Sequence, residues 1–137
     1  MRKIIGLTTL LVILLTILGG VVACKSSPSL TTGESTVRAY ADPATEMTLQ
    51  GLSENDLAKY TQYGNSEFKA ALTQEILDDA ATLISDQFGD YESKEFLSTE
   101  EQEGYTIVHY KAKFAKGEMG IRMVFDEDHL VAGQWFE

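Results

Sequence analysis

Cysteine is nearly absent from this chain, since Cys24 is the only one among its 137 residues. A single cysteine cannot form a disulfide within the chain, so we expect the fold to be held by its hydrophobic core alone. It also excludes the paired-cysteine sites that bind structural zinc. Histidine is scarce too, because His109 and His129 are the only two and no ligand-like spacing joins them. We therefore predict no metal, no cofactor and no catalytic histidine.

Basic residues are also few, with 11 Lys and Arg against 21 Asp and Glu and a formal net charge of −10. Nucleic acids and anionic lipid surfaces attract proteins through basic surfaces. The charge therefore argues against both as partners, and we favour the interpretation that it keeps the protein soluble. The sequence contains no glycine-rich phosphate loop and no Ser-His-Asp arrangement with the spacing of a nucleophile elbow. It predicts no catalytic residue.

A long apolar run does occur, at the N-terminus. Arg2 and Lys3 precede an aliphatic stretch over residues 4–22, which ends in small residues before Cys24. This order is typical of a secretory signal. The alternative is an uncleaved signal anchor, because about 18 apolar residues can span a bilayer.

The residues around Cys24 resemble the lipobox of bacterial lipoproteins. That resemblance implies cleavage between Ala23 and Cys24 and a diacylglyceryl group on the cysteine sulfur. Fatty acyl chains such as palmitate would then anchor the protein, since two chains hold a protein stably to a membrane. The protein would face the extracytoplasmic side of the cell membrane.

The composition divides the chain into three parts. Residues 1–23 are predicted to be a lipoprotein signal peptide, and residues 24–35 a lipidated cysteine with a flexible polar linker. Residues 36–137 are predicted to form one α+β domain. Loss of residues 1–23 would remove two basic residues and no acidic ones, which leaves nine against 21 and a net charge of −12.

The first half of this domain is predicted to be helical. Asp42 and Pro43 indicate an N-cap followed by proline at the first helical position, in a helix that ends near Gly51. The alternative is a helix that starts earlier and kinks at Pro43. Thr73 is expected to cap the longest helix, which ends at Gly89. Its apolar residues recur at helical spacing and are expected to bury one side: Ile76, Leu77, Ala80, Leu83, Ile84 and Phe88.

In the second half the hydrophobic period changes from 3.6 to 2. This change predicts four strands joined by short turns, at about residues 91–98, 105–114, 118–125 and 130–136. The acidic stretch 126–128 lacks the glycine and the distal glutamate of a calcium loop, so we interpret it as a turn. Helices followed by a meander of strands predict an α+β fold, with N-terminal helices packed on a curved four-stranded antiparallel sheet.

Four segments, residues 37–46, 54–60, 110–114 and 124–136, resemble domain-of-unknown-function family 3887. The resemblance spans about the whole domain and implies the cone-shaped fold called nuclear-transport-factor-2-like or cystatin-like. Members of that family are often lipoproteins or secreted proteins, and no catalytic residues are established for it. The chain departs from the family at His129, where a small turn residue is usual.

That fold class often encloses a pocket between helices and sheet. One interpretation makes five residues the wall of a small apolar ligand site. These residues are Tyr40, Tyr60, Tyr110, Met123 and Trp135. The alternative, which we favour, is that they fill the core.

The outer face of the predicted sheet provides a second candidate site. Strand alternation places six residues on it: Ile107, His109, Lys111, Lys113, Arg122 and Val124. Trp135 is a further candidate beside them, as an alternative to its place in the pocket wall. The face is predicted to contact a protein partner or a second copy of the chain. Equally, cross-strand pairing with Glu92, Glu95 or Glu118 would neutralise its basic groups.

These features together predict an uncharacterised membrane-anchored lipoprotein whose domain binds a protein or a small ligand without catalysis. The alternative is a small pocket enzyme, or an accessory domain of a hydrolase, in the nuclear-transport-factor-2-like class.

Overall fold

A computed structural model of the protein describes residues 32–137. The predicted signal peptide, Cys24 and most of the predicted linker lie outside the described residues. Within them the chain forms helices α1 (Thr32–Glu54), α2 (Leu57–Tyr60), α3 (Ser66–Ala71) and α4 (Gln74–Phe88), then strands β1 (Tyr91–Gln102), β2 (Tyr105–Phe114), β3 (Gly117–Phe125) and β4 (Val131–Phe136). None of these helices is both long enough and apolar enough to cross a membrane.

The four strands form one open antiparallel sheet in the order β1-β2-β3-β4. This arrangement confirms the predicted α+β class with a meander of strands. β1 is longer than predicted, because its pairing with β2 continues to Gln102, opposite Tyr105. The edge strand β1 is irregular, with register shifts between Tyr91 and Ser93 and between Phe96 and Ser98.

One face of the sheet packs on the helices, and we call it the inner face. The predicted alternation holds in β2 and β3, whose inward side chains are buried. They are Val108, Tyr110, Ala112, Phe114, Ile121, Met123 and Phe125. Alternation in a strand sends the residues between them to the opposite face, which we call the outer face. The helices thus cover one side of the sheet and leave the other open.

Helix α1 continues through Pro43 instead of starting there. It already includes Thr32, the first described residue, so residues 32–35 of the predicted linker are helical. The residues that α1 buries mostly recur three or four apart along its length: Ala41, Ala44, Thr45, Thr48, Leu49, Gly51 and Leu52. A proline inside a helix costs about 3 kcal/mol. Because proline has no N–H, the backbone carbonyl four residues earlier lacks its helical hydrogen bond. Pro43 lies on the exposed side of α1, so this carbonyl can bond to water while the buried residues hold the helix in place.

Helix α4 begins and ends as predicted, but it is not the longest helix and its apolar stripe is only partly buried. Thr73 accepts a hydrogen bond from the backbone N–H of Ile76, and Gly89 ends the helix at a φ of 78°. α4 packs on α1 and buries Leu77 and Ile84. Ile76 and Leu83 remain 48% and 56% exposed. The expectation that both are buried is wrong, because packing on one neighbouring helix covers only a narrow strip of the helix surface.

His129, where the chain departs from the family pattern, has a left-handed backbone with a φ of 61°. Glycine adopts this conformation at little cost, which explains why a small residue is usual there. The histidine ring stacks on Tyr40, with ring centres 4.1 Å apart and planes 4° from parallel. The turn is held as well by Asp126, whose Oδ1 accepts hydrogen bonds from the backbone N–H groups of Asp128 and Leu130.

Candidate binding face

The structure brings all six residues of the predicted interface to the outer face. The pairing of β2 with β3 sets Ile107 opposite Val124 and His109 opposite Arg122. Lys111 and Lys113 follow on β2 at the same alternation. Both strands bury the residues between these positions, so the inner face fixes which side chains point outward.

The lysines of this face are paired with glutamates. Lys111 Nζ lies 3.7 Å from Glu95 and 3.5 Å from Glu118, and Lys113 Nζ lies 2.9 Å from Glu92. The hydrogen bond and the charge of Glu92 raise the pKa of Lys113. Of the two alternatives, neutralisation by cross-strand pairing therefore describes these lysines. Such exposed pairs contribute little to stability.

His109 and Arg122 share a glutamate. His109 Nδ1 lies 3.5 Å from Glu137 Oε2, and its Nε2 lies 3.4 Å from Glu100 Oε1. Arg122 Nε lies 3.7 Å from the other carboxylate oxygen of Glu137. Glu137 is held in turn by two backbone hydrogen bonds with Gly120 on β3. The main chain of Glu137 is thus fixed to β3, which keeps its side chain near His109 and Arg122.

An open groove of about 250 Å³ crosses the outer face near the β1–β2 turn, and we call it the outer groove. Its lining combines apolar and aromatic side chains with three polar ones. They are Tyr105, Ile107, Val124, Trp135, Gln102, Glu103 and Arg122. Ile107 is 8% exposed, whereas Tyr105 and Trp135 are 44% and 46% exposed. Mostly apolar concave surfaces with a few polar groups are typical of binding sites.

Trp135 belongs to this groove and not to the predicted inner pocket. It pairs with Arg122 across β3 and β4, and the Arg122 guanidinium lies over its ring, 4.7 Å from the ring centre. The ring also lies over the backbone at Gly133, where an added Cβ would collide with the indole. Its place in the predicted pocket wall is therefore corrected, because the alternation of β4 puts Gln134, and not Trp135, on the inner face. The pairing of Met123 with Gln134 decides which face Trp135 occupies. The sequence does not show this register between β3 and β4.

The other four residues of the predicted pocket lie on the inner side. Tyr60, Tyr110 and Met123 are buried in the core, and Tyr40 is half-buried beside it. The Tyr60 hydroxyl donates to Gln134 Oε1. These positions favour the interpretation that the residues fill the core.

The hydroxyl of Tyr110 donates to Asp42 Oδ1 at 2.8 Å, and Asp42 forms an ion pair of 3.0 Å with Arg38 one turn earlier in α1. Burial raises the pKa of Tyr60 to about 12. Burial and the hydrogen bond to Asp42 raise that of Tyr110 well above its usual value. Both phenols are therefore neutral hydrogen-bond donors that tie helix to sheet, and neither is poised to act as a base.

The acidic turn over 126–128 lines a second open cavity of about 310 Å³ with Glu103, Gly104 and Tyr105. Partial burial acts to raise the pKa of Asp126, but hydrogen bonds from Asn65, Leu130 and Asp128 outweigh it and lower this pKa. Both carboxylate oxygens of Asp126 are already occupied by these donors. No group of acidic or histidine side chains among residues 32–137 could hold a metal ion.

Comparison with known proteins places the chain in a family. Residues 46–133, more than half of its length, match the family described as "Protein of unknown function (DUF3887)". The chain belongs to the DUF3887 family. The resemblance noted in its sequence to that family is thereby confirmed. The curated proteins include no match to this DUF3887 chain.

A solved structure resembles the fold of this DUF3887 protein. It is an NMR structure of a protein from Ruminococcus gnavus ATCC 29149, with 19% sequence identity and a TM-score of 0.53. The match covers 78% of this chain and 95% of the other. At this identity the likeness shows a shared fold.

Proposed function

We propose that this DUF3887 protein is a membrane-anchored, extracytoplasmic domain that binds a protein partner, without catalysis, in the outer groove. The observation that carries the proposal is the exposure of Tyr105 and Trp135 on either side of a buried Ile107, on a face whose lysines are already paired. Exposed aromatic residues beside an apolar floor are the groups that dominate the energy of protein interfaces. The inner face of β2 and β3 carries no comparable surface, because its large side chains are buried. The cone-shaped nuclear-transport-factor-2-like class is part of this proposal.

The anchor is the lipobox cysteine. Only residues 25–31 separate Cys24 from Thr32, the first described residue, which already belongs to α1. A fully extended chain spans at most about 3.5 Å per residue, which limits the tether to roughly 25 Å. The partner must therefore be a protein that comes close to the membrane surface.

Replacement of Cys24 with alanine is expected to abolish lipid attachment and cleavage of the signal peptide. The measurement is metabolic labelling with radioactive palmitate, together with the apparent mass of the chain. Replacement of Ser26 with alanine is the matched control and should change neither. Labelling that persists in Cys24→Ala would contradict the proposed anchor.

The binding function is tested by photo-crosslinking on intact cells. Benzoylphenylalanine replaces Tyr105 in one variant and, as a matched control, Leu83 on α4, which is at least as exposed, in another. We expect a defined crosslinked partner from position 105 and none from position 83. The purified partner should then bind the wild-type chain and bind Trp135→Ala at least about tenfold more weakly, a loss of about 1.4 kcal/mol.

A second variant changes the shape of the groove without replacing any of the side chains that line it. Gly133→Ala forces the indole of Trp135 to move, because the new methyl group would occupy the space of its ring. It should weaken binding of the partner without unfolding the chain. The proposal is wrong if no crosslink forms at position 105, or if Trp135→Ala binds the captured partner as tightly as the wild type.

A further inference from the structure

The closest glutamate lies farther from Arg122 than from either lysine of the outer face. Lys111 and Lys113 each have a glutamate within ion-pair distance of the ammonium nitrogen. Arg122 also has a glutamate within ion-pair distance, because its Nε lies 3.7 Å from Glu137, but this contact is too long for a hydrogen bond. No hydrogen bond from its terminal N–H groups occurs within residues 32–137. These N–H groups are therefore available to a ligand.

The guanidinium is also held in place. Its central carbon lies 4.7 Å from the centre of the Trp135 ring, and contact with an aromatic face fixes a guanidinium while leaving its N–H groups free to bond in its own plane. A fixed arginine loses less side-chain entropy on binding than a free one. The groove thus presents a positioned, charged donor at its edge.

A carboxylate is the group that this donor recognises best, because two parallel N–H groups match its two oxygens. Beside Arg122 the floor of the groove is apolar, formed by Ile107 and Val124. We infer that the outer groove takes an extended segment of a partner protein, with a carboxylate bound by Arg122 and an apolar side chain between Tyr105 and Trp135. This inference rests on the proposed function and names the chemistry of its partner.

A second copy of the chain is a poorer occupant. Its net charge of −10 means that two copies repel each other. Glu103 at the other end of the groove also disfavours an evenly acidic ligand. The charges therefore fit a partner with one acidic residue flanked by neutral apolar ones.

The experiment uses the full chain in detergent and two blocked tripeptides as probes, acetyl-Val-Glu-Val-amide and acetyl-Val-Gln-Val-amide. The two differ only in charge. Trp135 is the only tryptophan in the sequence, so its fluorescence reports directly on the groove. We expect a saturable change with the glutamate peptide below about 10 mM, as a small contact allows, and binding of the glutamine peptide at least about tenfold weaker.

Variants assign the effect to Arg122. Arg122→Gln should remove the preference for the glutamate peptide, and Arg122→Lys should reduce it, because lysine keeps the charge but not the paired donors. Lys113→Gln is the matched control on the same face and should keep the preference. Circular dichroism checks that each variant is folded. If Arg122→Gln does not fold, Arg122→Lys alone tests the role of Arg122.

Three results would overturn the inference: equal binding of the two peptides, no binding of either, or a fluorescence change that follows dimerisation of the chain. Its failure is separable from that of the proposed function. If the crosslinked partner binds Trp135→Ala weakly but Arg122→Gln normally, the groove is a binding site without the carboxylate contact. If neither variant affects that partner, the proposed function fails as well.

Discussion

Replacement of Gly51 with alanine is expected to destabilise the domain by about 3 kcal/mol or more. Gly51 lies in the buried part of α1, where α2 crosses it closely. A Cβ at this position would collide with the backbone nitrogen of Tyr60 and lie 2.6 Å from its Cα. Since the obstacle is main chain and not the end of a flexible side chain, α2 must move. Tyr60 would move with it and lose its hydrogen bond to Gln134.

The measurement is urea unfolding followed by circular dichroism. Gly33→Ala is the matched control, because it lies in the same helix with nothing within 4 Å of an added Cβ. It should leave stability unchanged or raise it by up to about 1 kcal/mol. A Gly51→Ala variant that is as stable as the wild type would show that α1 and α2 are not in close contact in solution.

Raising the pH above about 10 is expected to destabilise the domain steeply, because of its buried tyrosines. An unfolded tyrosine loses its proton near pH 10, whereas folding raises the pKa of Tyr60 to about 12 and that of Tyr110 further. The contribution of these two tyrosines to the free energy of unfolding is complete below pH 10. It is lost as the pH rises further, because the unfolded state then binds fewer protons than the folded one. Each group lowers the free energy of unfolding by about 1.4 kcal/mol per pH unit. Together they remove roughly 5 kcal/mol between pH 10 and 12, which is comparable with the whole stability of a small domain.

Urea unfolding between pH 8 and 11.5 measures this slope, and absorbance at 295 nm reports phenolate formation. Tyr60→Phe and Tyr110→Phe are each expected to flatten the slope above pH 10, although both lower stability at pH 7. Tyr105→Phe, on the exposed outer face, should leave the slope unchanged. Phenolate absorbance from Tyr60 or Tyr110 in the still folded protein below pH 11 would contradict the prediction.

Much of the fold was predictable from the chain because local signals and packing agree there. Alternation in residues 105–114 predicts both β2 and its buried face, and Thr73 and Gly89 mark the ends of α4. The order of helices and strands then leaves little choice but an antiparallel meander. These are properties of neighbouring residues, and they need no knowledge of what packs against them.

The failures share a different cause, namely contacts that depend on distant parts of the chain. Pro43 favours a helix start by itself, yet α1 runs through it because the residues on either side are buried against the sheet. Ile76 and Leu83 fit a buried stripe, but whether it is covered depends on the width of the surface that α1 offers. Trp135 was expected inside, and the register between β3 and β4 places it outside.

The candidate site shows the same division. Its six residues on β2 and β3 were found by alternation alone. The pairing that neutralises Lys111 and Lys113 was foreseen as one of two alternatives, and only the register of β1 decides it. Gln102 was missed because the sequence does not show how far β1 extends, whereas Tyr105 was not singled out although the alternation of β2 places it on the same face as Ile107.

The irregular edge strand β1 has a consequence for how copies of this protein behave at close quarters. An exposed edge of a sheet can template the addition of further strands, which leads to aggregation, and bulges and charges suppress it. β1 has two register shifts and several glutamates. At the opposite edge, Val131 on β4 exchanges hydrogen bonds with Tyr63 and Asn65. The irregular, acidic β1 and the anchored start of β4 both disfavour the addition of a further strand, so recognition by this sheet is left to the side chains on its face.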